Sequence, residues 1–491
     1  TLNAPEGDIQ LAGAQIVLAI QPLPGGPPTQ EAGSGQVQFT ARNLRLINGS
    51  TVQMDNYSTL PVADFNVSLS GNLTLNSSRI ITTARGSAQA ADLNVMAKDV
   101  IIKDGATLSA ETVSSGPGGR LNIITDNLQL TNGGQLRSGN TIPPRFPGVP
   151  PPPIPSGSGG IITVHGQAGP TDSVLINGPR SGIFTNTEGT GPGGTVNISA
   201  KALTIQNGGT ISVSTTGTDT RATGGSIIIN ATEQATLTKG ASITASSTGL
   251  ADAGNISIDA GQRFDMQDSK ITTEAEVASG GNIKIEAIDL IRVANGSISS
   301  SVQGGPSTSG GNITIDPKTV VLQNAQILAS SEQGNGGNIQ ITTPLFLKDP
   351  TSIVDASSRF GLSGTVTVQS PTSNISGTVG QLASKTNPPQ VLLQNRCVAL
   401  AGGEQSTFIL AGRDALPSEP GGWLSSPVAM EHWTGEKPED HVSRLMVQSR
   451  GWTTQPLLVM AKDEPTVLSL RRLTPPGFLV RSFATGTTGC P

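Results

Sequence analysis

Aromatic residues and charge are both scarce in this 491-residue sequence. Phe, Trp and Tyr together make up 3% and Asp, Glu, Lys and Arg 13%. Tyr57 is the only tyrosine, and the three tryptophans, Trp423, Trp433 and Trp452, all lie near the C-terminal end. Most of the chain therefore offers no aromatic platform on which a sugar ring or a base would stack. Nucleic-acid binders carry basic stripes. Here the formal net charge is −5 and no basic stripe occurs, so no nucleic-acid partner is expected. No apolar run reaches about 18 residues, which excludes a helical membrane span. No signal peptide is recognisable at the N-terminus. With three histidines, two of them (His432 and His441) near the end, no third ligand completes a metal site. No cofactor is expected.

Glycine, by contrast, is plentiful at 61 residues, and its placement is periodic. One phrase recurs: two small residues, then Asn or Thr, then alternating apolar residues. It reads Gly193-Gly194-Thr195-Val196-Asn197-Ile198, and again Gly280-Gly281-Asn282-Ile283-Lys284-Ile285 and Gly310-Gly311-Asn312-Ile313-Thr314-Ile315. The last small residues, at 194, 225, 254, 281, 311, 337 and 364, are 26 to 31 residues apart. Each interval holds three short alternating runs, for example 282–285, 290–293 and 297–300. Alternation with β-branched residues marks half-buried strands. Such short runs bury too little surface alone, but stacked unit on unit they form a continuous core. The fold class expected is all-β: a right-handed parallel β-helix, three-sided, of about 11–12 coils, or roughly 55 Å at ~4.8 Å per coil.

Glycine at the coil boundaries implies positive φ or close backbone approach. The Asn after the pair, at Asn255, Asn282, Asn312 and Asn338, is expected to stack as a structural amide ladder satisfying buried amides at a corner. A second phrase, Asn-Gly or a relative, sits at 48–49, 104–105, 132–133, 207–208, 239–240 and 295–296, where turns with positive φ are expected. Less regular coil starts are read at Gly35-Gln36, Gly71-Asn72, Ala91-Asp92, Gly119-Arg120 and Gly160-Ile161. Proline-rich stretches at about 20–30 and 141–157 cannot be central strand and read as insertion loops. The β-helix is expected over 1–385. After Thr386-Asn387-Pro388-Pro389 the composition shifts, and a C-terminal cap or tail domain is expected over 386–491. The opening residues already read as part of a coil, which implies a processed or truncated product of a longer precursor.

Cys397 and Cys490 are the only cysteines. In a secreted protein such a pair forms a disulfide, which is the reading taken here because Ser/Thr/Gly-rich solenoids are mostly extracellular. The alternative is two free thiols in a cytosolic protein.

The Gly-Gly-Asn-Ile-x-Ile coils resemble the filamentous-haemagglutinin-like exoproteins of two-partner secretion systems, in particular their cyanobacterial surface-protein branch. The tail is similar to that branch too. It reads Asn395-Arg396-Cys397, then Ser406-Thr407-Phe408 through Gly412-Arg413, Leu416-Pro417, and finally Gly451-Trp452 and Gly489-Cys490-Pro491. The family's N-terminal secretion domain is not recognisable. The resemblance implies a secreted, non-enzymatic, adhesin-like surface protein. It would be exported through an outer-membrane transporter to the outer face of a Gram-negative cell, with glycans or proteins of a surface or matrix, or other copies of itself, as partners.

A β-helical polysaccharide lyase or glycoside hydrolase is the alternative. That chemistry needs paired carboxylates, or acidic calcium ligands beside a base. The outward positions of the first run, Asn197, Ile228, Ser257, Lys284, Thr314, Gln340 and Thr367, carry no carboxylate row. The one acidic concentration is Asp252, Asp259, Asp265, Asp268, Glu274 and Glu276, with Glu286 and Asp289 following. It is a candidate calcium or catalytic cluster, set against a plain solvated face. A tail hydrolase using His432 or His441 with Asp440 lacks a Gly-x-Ser-x-Gly nucleophile elbow.

Overall fold

The structure, a computed structural model, describes residues 1–21, 36–143 and 153–371. The chain divides into two units, Thr1–Lys385 and Thr386–Pro491, and every described residue belongs to the first.

Short alternating runs become strands because each pairs in parallel with the same run one coil later. The coil Ile283–Glu286, Leu290–Ala294, Ser297–Ser299 stacks on Ile313–Asp316, Thr319–Gln323, Gln326–Leu328. Ile283 faces Ile313, Ile291 faces Val320, and Ile298 faces Ile327. The first and second runs of all coils join into one sheet of 21 strands, and the third runs form a sheet of 12. In four coils, Leu2–Ala12, Val37–Ile47, Thr195–Gln206 and Ser226–Thr238, the first two runs are a single strand that turns the corner, with a register break in the last pair between Ala200 and Ala202. The result is a parallel β-solenoid of about eleven to twelve turns, with no helix among the described residues.

The pleat sends every second side chain inward. Ile, Leu and Val stack in files through one uninterrupted core from Ile20 to Ala356. Near the N-terminal end, Phe39 and Phe65 stack with ring centroids 5.9 Å apart.

The Gly-Gly pairs close the coil. The N–H of Gly281 donates to Thr273 O at 3.0 Å and that of Gly311 to Ser300 O at 3.0 Å, folding the chain back onto the third run it has just left. Neither glycine has positive φ. A Cβ on Gly281 would instead overlap the carbonyl of Gly254, and one on Gly311 the carbonyl of Gly281. Close backbone approach is therefore the reason for glycine at these positions. The Asn-Gly phrases behave differently. They turn from the second run to the third with both residues at positive φ, as at Asn48 (56°) and Gly49 (77°). The exception is 295–296, where Asn295 alone is left-handed at 48°.

One coil start needs correcting. Gly71-Asn72 opens a second run, Asn72–Asn76, and the first run of that coil is Phe65–Leu69, which pairs with Val37–Ile47 and Leu93–Met96. Gly71 followed by alternation looks like a coil start, but its backbone sits against Arg42 and Asn43 at the first corner. Both proline-rich stretches interrupt the coil after a third run, following Gln15–Ile20 and Gln135–Arg137. Residues 22–35 and 144–152 within them lie outside the described residues.

Beyond the third run, buried polar side chains pin the Gly-rich loops. Thr112, Asn140, Thr187, Thr215 and Ser247 stack one per coil as single bridges. Thr112 donates to Gly116 O at 2.5 Å, Ser247 to Ala251 O at 2.5 Å, Thr187 to Pro192 O at 3.3 Å and Asn140 to Gly157 O. Each loop thus accepts from a buried hydroxyl or amide N–H that would otherwise lack a partner, while Asn140 Oδ1 stays buried without one.

Candidate interaction surfaces

The solenoid presents side walls, and the residues that recur on them define its chemistry. The Asn row is a continuous ladder. Asn255 Oδ1 accepts from Asn282 N (2.9 Å) and Nδ2 (3.2 Å), and Asn282 Oδ1 from Asn312 N (3.0 Å) and Nδ2 (3.1 Å). Asn312 Oδ1 accepts from Asn338 N (3.0 Å) and Nδ2 (3.2 Å), and Asn338 Oδ1 from Thr365 N (3.0 Å) and Oγ1 (2.7 Å). All four asparagines are exposed. The expectation that the ladder satisfies buried amides is corrected: Asn follows the tightly packed glycine, and the pleat turns its side chain outward.

The outward row of the first run is in register as expected, from Asn197 through Ile228, Ser257, Lys284, Thr314 and Gln340 to Thr367. The third wall carries a hydroxyl array that the sequence reading did not single out. Ser214 lies 3.2 Å from Thr244, Thr244 3.0 Å from Ser246, Ser246 3.1 Å from Thr272, and Ser301 3.0 Å from Ser330. The signal was present as Ser/Thr at i and i+2 of successive third runs, but Ser and Thr are so frequent here that it does not stand out.

The acidic residues 252–289 are distributed over different faces. Asp252, before the first run, accepts the N–H of Ser279 at 2.9 Å. Asp259 and Glu286 end successive first runs, in register with each other and with Asp316. Lys284 sits 2.8 Å from Glu286. Its ammonium pKa is raised, chiefly by the Glu286 hydrogen bond and charge, with Asp259 and Asp316 adding to it. Asp265 lies on the second run, 2.6 Å from Arg263 and 3.6 Å from Arg292. Asp268 occupies the next corner at φ 49°. Glu274 and Glu276 come after the third run, Glu274 accepting the Ser299 hydroxyl at 2.5 Å, and Asp289 pairs with Lys318 at 2.8 Å. No group of three or more His, Cys, Asp or Glu fit to hold a metal ion occurs among the described residues. The sequence cluster is therefore not one spatial site.

The structure brings a different acidic pair onto the third wall. Asp55 and Glu111 both align with Thr83 on the coil between them. Each is held by an arginine: Arg85 at 3.1 Å from Asp55 and Arg137 at 2.8 Å from Glu111. Gln53 and Ser109 donate to them at 2.7 and 3.0 Å. Arg85 also lies over Tyr57 and Arg137 over Phe184. Buried Asp55 Oδ1 has no partner.

Cys397, Cys490, His432, His441, Asp440 and the three tryptophans, with the cap expected over 386–491, lie outside the described residues. No helix among the described residues is long and apolar enough to cross a membrane. Comparison with known protein families, with characterised proteins and with solved structures finds no match to this chain.

Proposed function

We propose that this chain forms the rod of a secreted, surface-displayed, non-enzymatic protein of adhesin-like character, related to the filamentous-haemagglutinin-like exoproteins that its coil and tail phrases resemble. The observation that carries this reading is the repetition of uncharged amides and hydroxyls coil after coil, exposed in the Asn255–Asn338 ladder and half-buried in the Ser/Thr array of the third wall. Such rows suit many weak, equivalent contacts whose combined strength comes from multivalency. The partners are glycans or proteins of a cell surface or extracellular matrix, and other copies of the rod. The resemblance adds export through an outer-membrane transporter and residence on the outer face of a Gram-negative cell, and an extracellular setting adds a Cys397–Cys490 disulfide closing the tail.

A glycoside hydrolase would need two carboxylates facing a shared substrate, and a polysaccharide lyase acidic calcium ligands beside a base. The aligned pair Asp55 and Glu111 is instead engaged by Arg85 and Arg137. Incubation of the full chain with acidic and neutral polysaccharides, with and without calcium, tests the proposal. Retention without chain shortening is the expected result. Turnover abolished by Asp55→Asn, Glu111→Gln or the acidic residues 252–289 would overturn it.

A further inference from the structure

At the corner between the second and third runs, turn length varies. Two residues separate Arg263–Gln267 from Lys270–Thr272, Leu290–Ala294 from Ser297–Ser299, and Thr319–Gln323 from Gln326–Leu328. On one side the corner at 239–241 has three residues, between Ser226–Thr238 and Ser242–Thr244, and on the other the corner at 349–352 has four, between Leu345–Lys348 and Ile353–Asp355. Three short corners between longer ones leave a notch. A groove of about 570 Å³ occupies this place, spanning Gly240 to Gln326.

Two rows line it. Asp268, Asn295 and Asn324 come from the corners, all left-handed at φ 48–49° and all exposed. Lys270, Ser297 and Gln326 come from the third runs, in register. Ser297 is the small residue between two long ones, which deepens the centre. Asn324 Nδ2 donates to Asn295 Oδ1 at 3.0 Å. Asp268 and Lys270 enter no ion pair among the described residues.

We infer that this notch is a binding subsite for a short stretch of a neutral glycan. The inference rests on the surface-binding reading above and gives it a location. The lining offers amide and hydroxyl donors and acceptors in both senses, as a chain of hydroxyls requires. One Asp268 and one Lys270 leave the lining without the net positive charge that a phosphate or nucleic acid would need, and no large apolar side chain lines it to hold a hydrophobic peptide. Three coil steps give a length of ~14 Å, enough for a short oligosaccharide lying along the rod axis.

The test uses the full chain and a panel of neutral cello-, xylo-, malto- and galacto-oligosaccharides, with affinity read by titration calorimetry or ligand-observed NMR. Ser297→Trp fills the groove and is expected to weaken binding at least ten-fold. Thr210→Trp occupies the same register position at a three-residue corner, and leaves binding unchanged. The double variant Lys270→Ala/Gln326→Ala, at exposed positions, is expected to lose binding without any bulk added, which guards against a folding defect in Ser297→Trp. If the wild type binds and these variants bind equally well, the notch is overturned while the surface reading stands. If the wild type binds none of the panel but is retained on other surfaces or matrices, the glycan assignment is overturned. If it is retained on nothing, the surface reading itself fails.

Discussion

Gly281→Ala is the sharpest perturbation that this architecture offers. The added methyl would lie 2.6 Å from the carbonyl carbon of Gly254 and closer still to its oxygen, so backbone rather than a side-chain tip has to move. Overpacking of this kind costs about 1–3 kcal/mol. The same shift strains three hydrogen bonds: Gly281 N to Thr273 O (3.0 Å), Thr273 Oγ1 to Gly281 O (2.7 Å) and Asn282 N to Asn255 Oδ1 (2.9 Å). At about 1 kcal/mol each, the loss comes to roughly 4–6 kcal/mol. Two controls separate the causes. Gly49→Ala meets nothing within 4 Å but sits at φ 77°, so it should cost only the left-handed penalty, about 1–2 kcal/mol. Gly305→Ala has open space and no positive φ, and should be neutral within about 0.5 kcal/mol. Because long repeat arrays do not unfold in one step, native-state hydrogen exchange of the amides from 254 to 311 is the assay, supported by denaturation midpoints. A Gly281→Ala effect no larger than that of Gly49→Ala would refute the close-approach account.

Three further outcomes are expected. Asn312→Ala removes the acceptor for Asn338 N and Nδ2, costing about 1–2 kcal/mol and speeding exchange of the Asn338 amide; Asn312→Asp keeps the acceptor and most of the protection. Equal exchange in both variants would sink the ladder's stabilising role. Thr185 Oγ1 is buried without a partner, so Thr185→Val should be neutral or stabilising by up to about 1 kcal/mol, and a clear loss of stability in a thermal melt would contradict this. The Ser352 hydroxyl, followed by the N–H groups of Asn324 and Ser352 and the Thr351 hydroxyl, holds the Asp349 pKa down to about 2. A depressed carboxylate stabilises above its unfolded value near 3.9 and loses that contribution as pH falls toward 2; Asp349→Asn should flatten this limb between pH 5 and 2, and an unchanged pH profile would rule it out.

The coil plan was readable because Ile, Val and Leu alternate where the strands lie, and 26- to 31-residue spacing admits stacking of like on like. What was harder to read follows from signals with two meanings. Glycine marks both positive φ and close approach, so Gly71 passed for a coil start although it sits at the first corner. The asparagine ladder was legible as a row, but which way it faces depends on the pleat relative to the glycine before it. The acidic stretch 252–289 looks dense in one dimension, and corners carry Asp252, Asp265 and Glu274 to separate faces. The notch at Ser297 had no composition signal at all, since it arises from turns one residue shorter than a neighbour's.

The asparagine ladder also has a direction. At each rung from Asn255 to Thr365 the earlier coil supplies the acceptor and the later coil the donors. A chain that orders from its amino end therefore meets a finished template at every step, and each new coil needs only the one before it. Each pairing must close a loop of 26 to 30 residues, which makes the first coils slow to order, and nearest-neighbour coupling keeps each later step local. The rod can thus grow coil by coil from an ordered turn, and an interruption leaves the turns already formed intact.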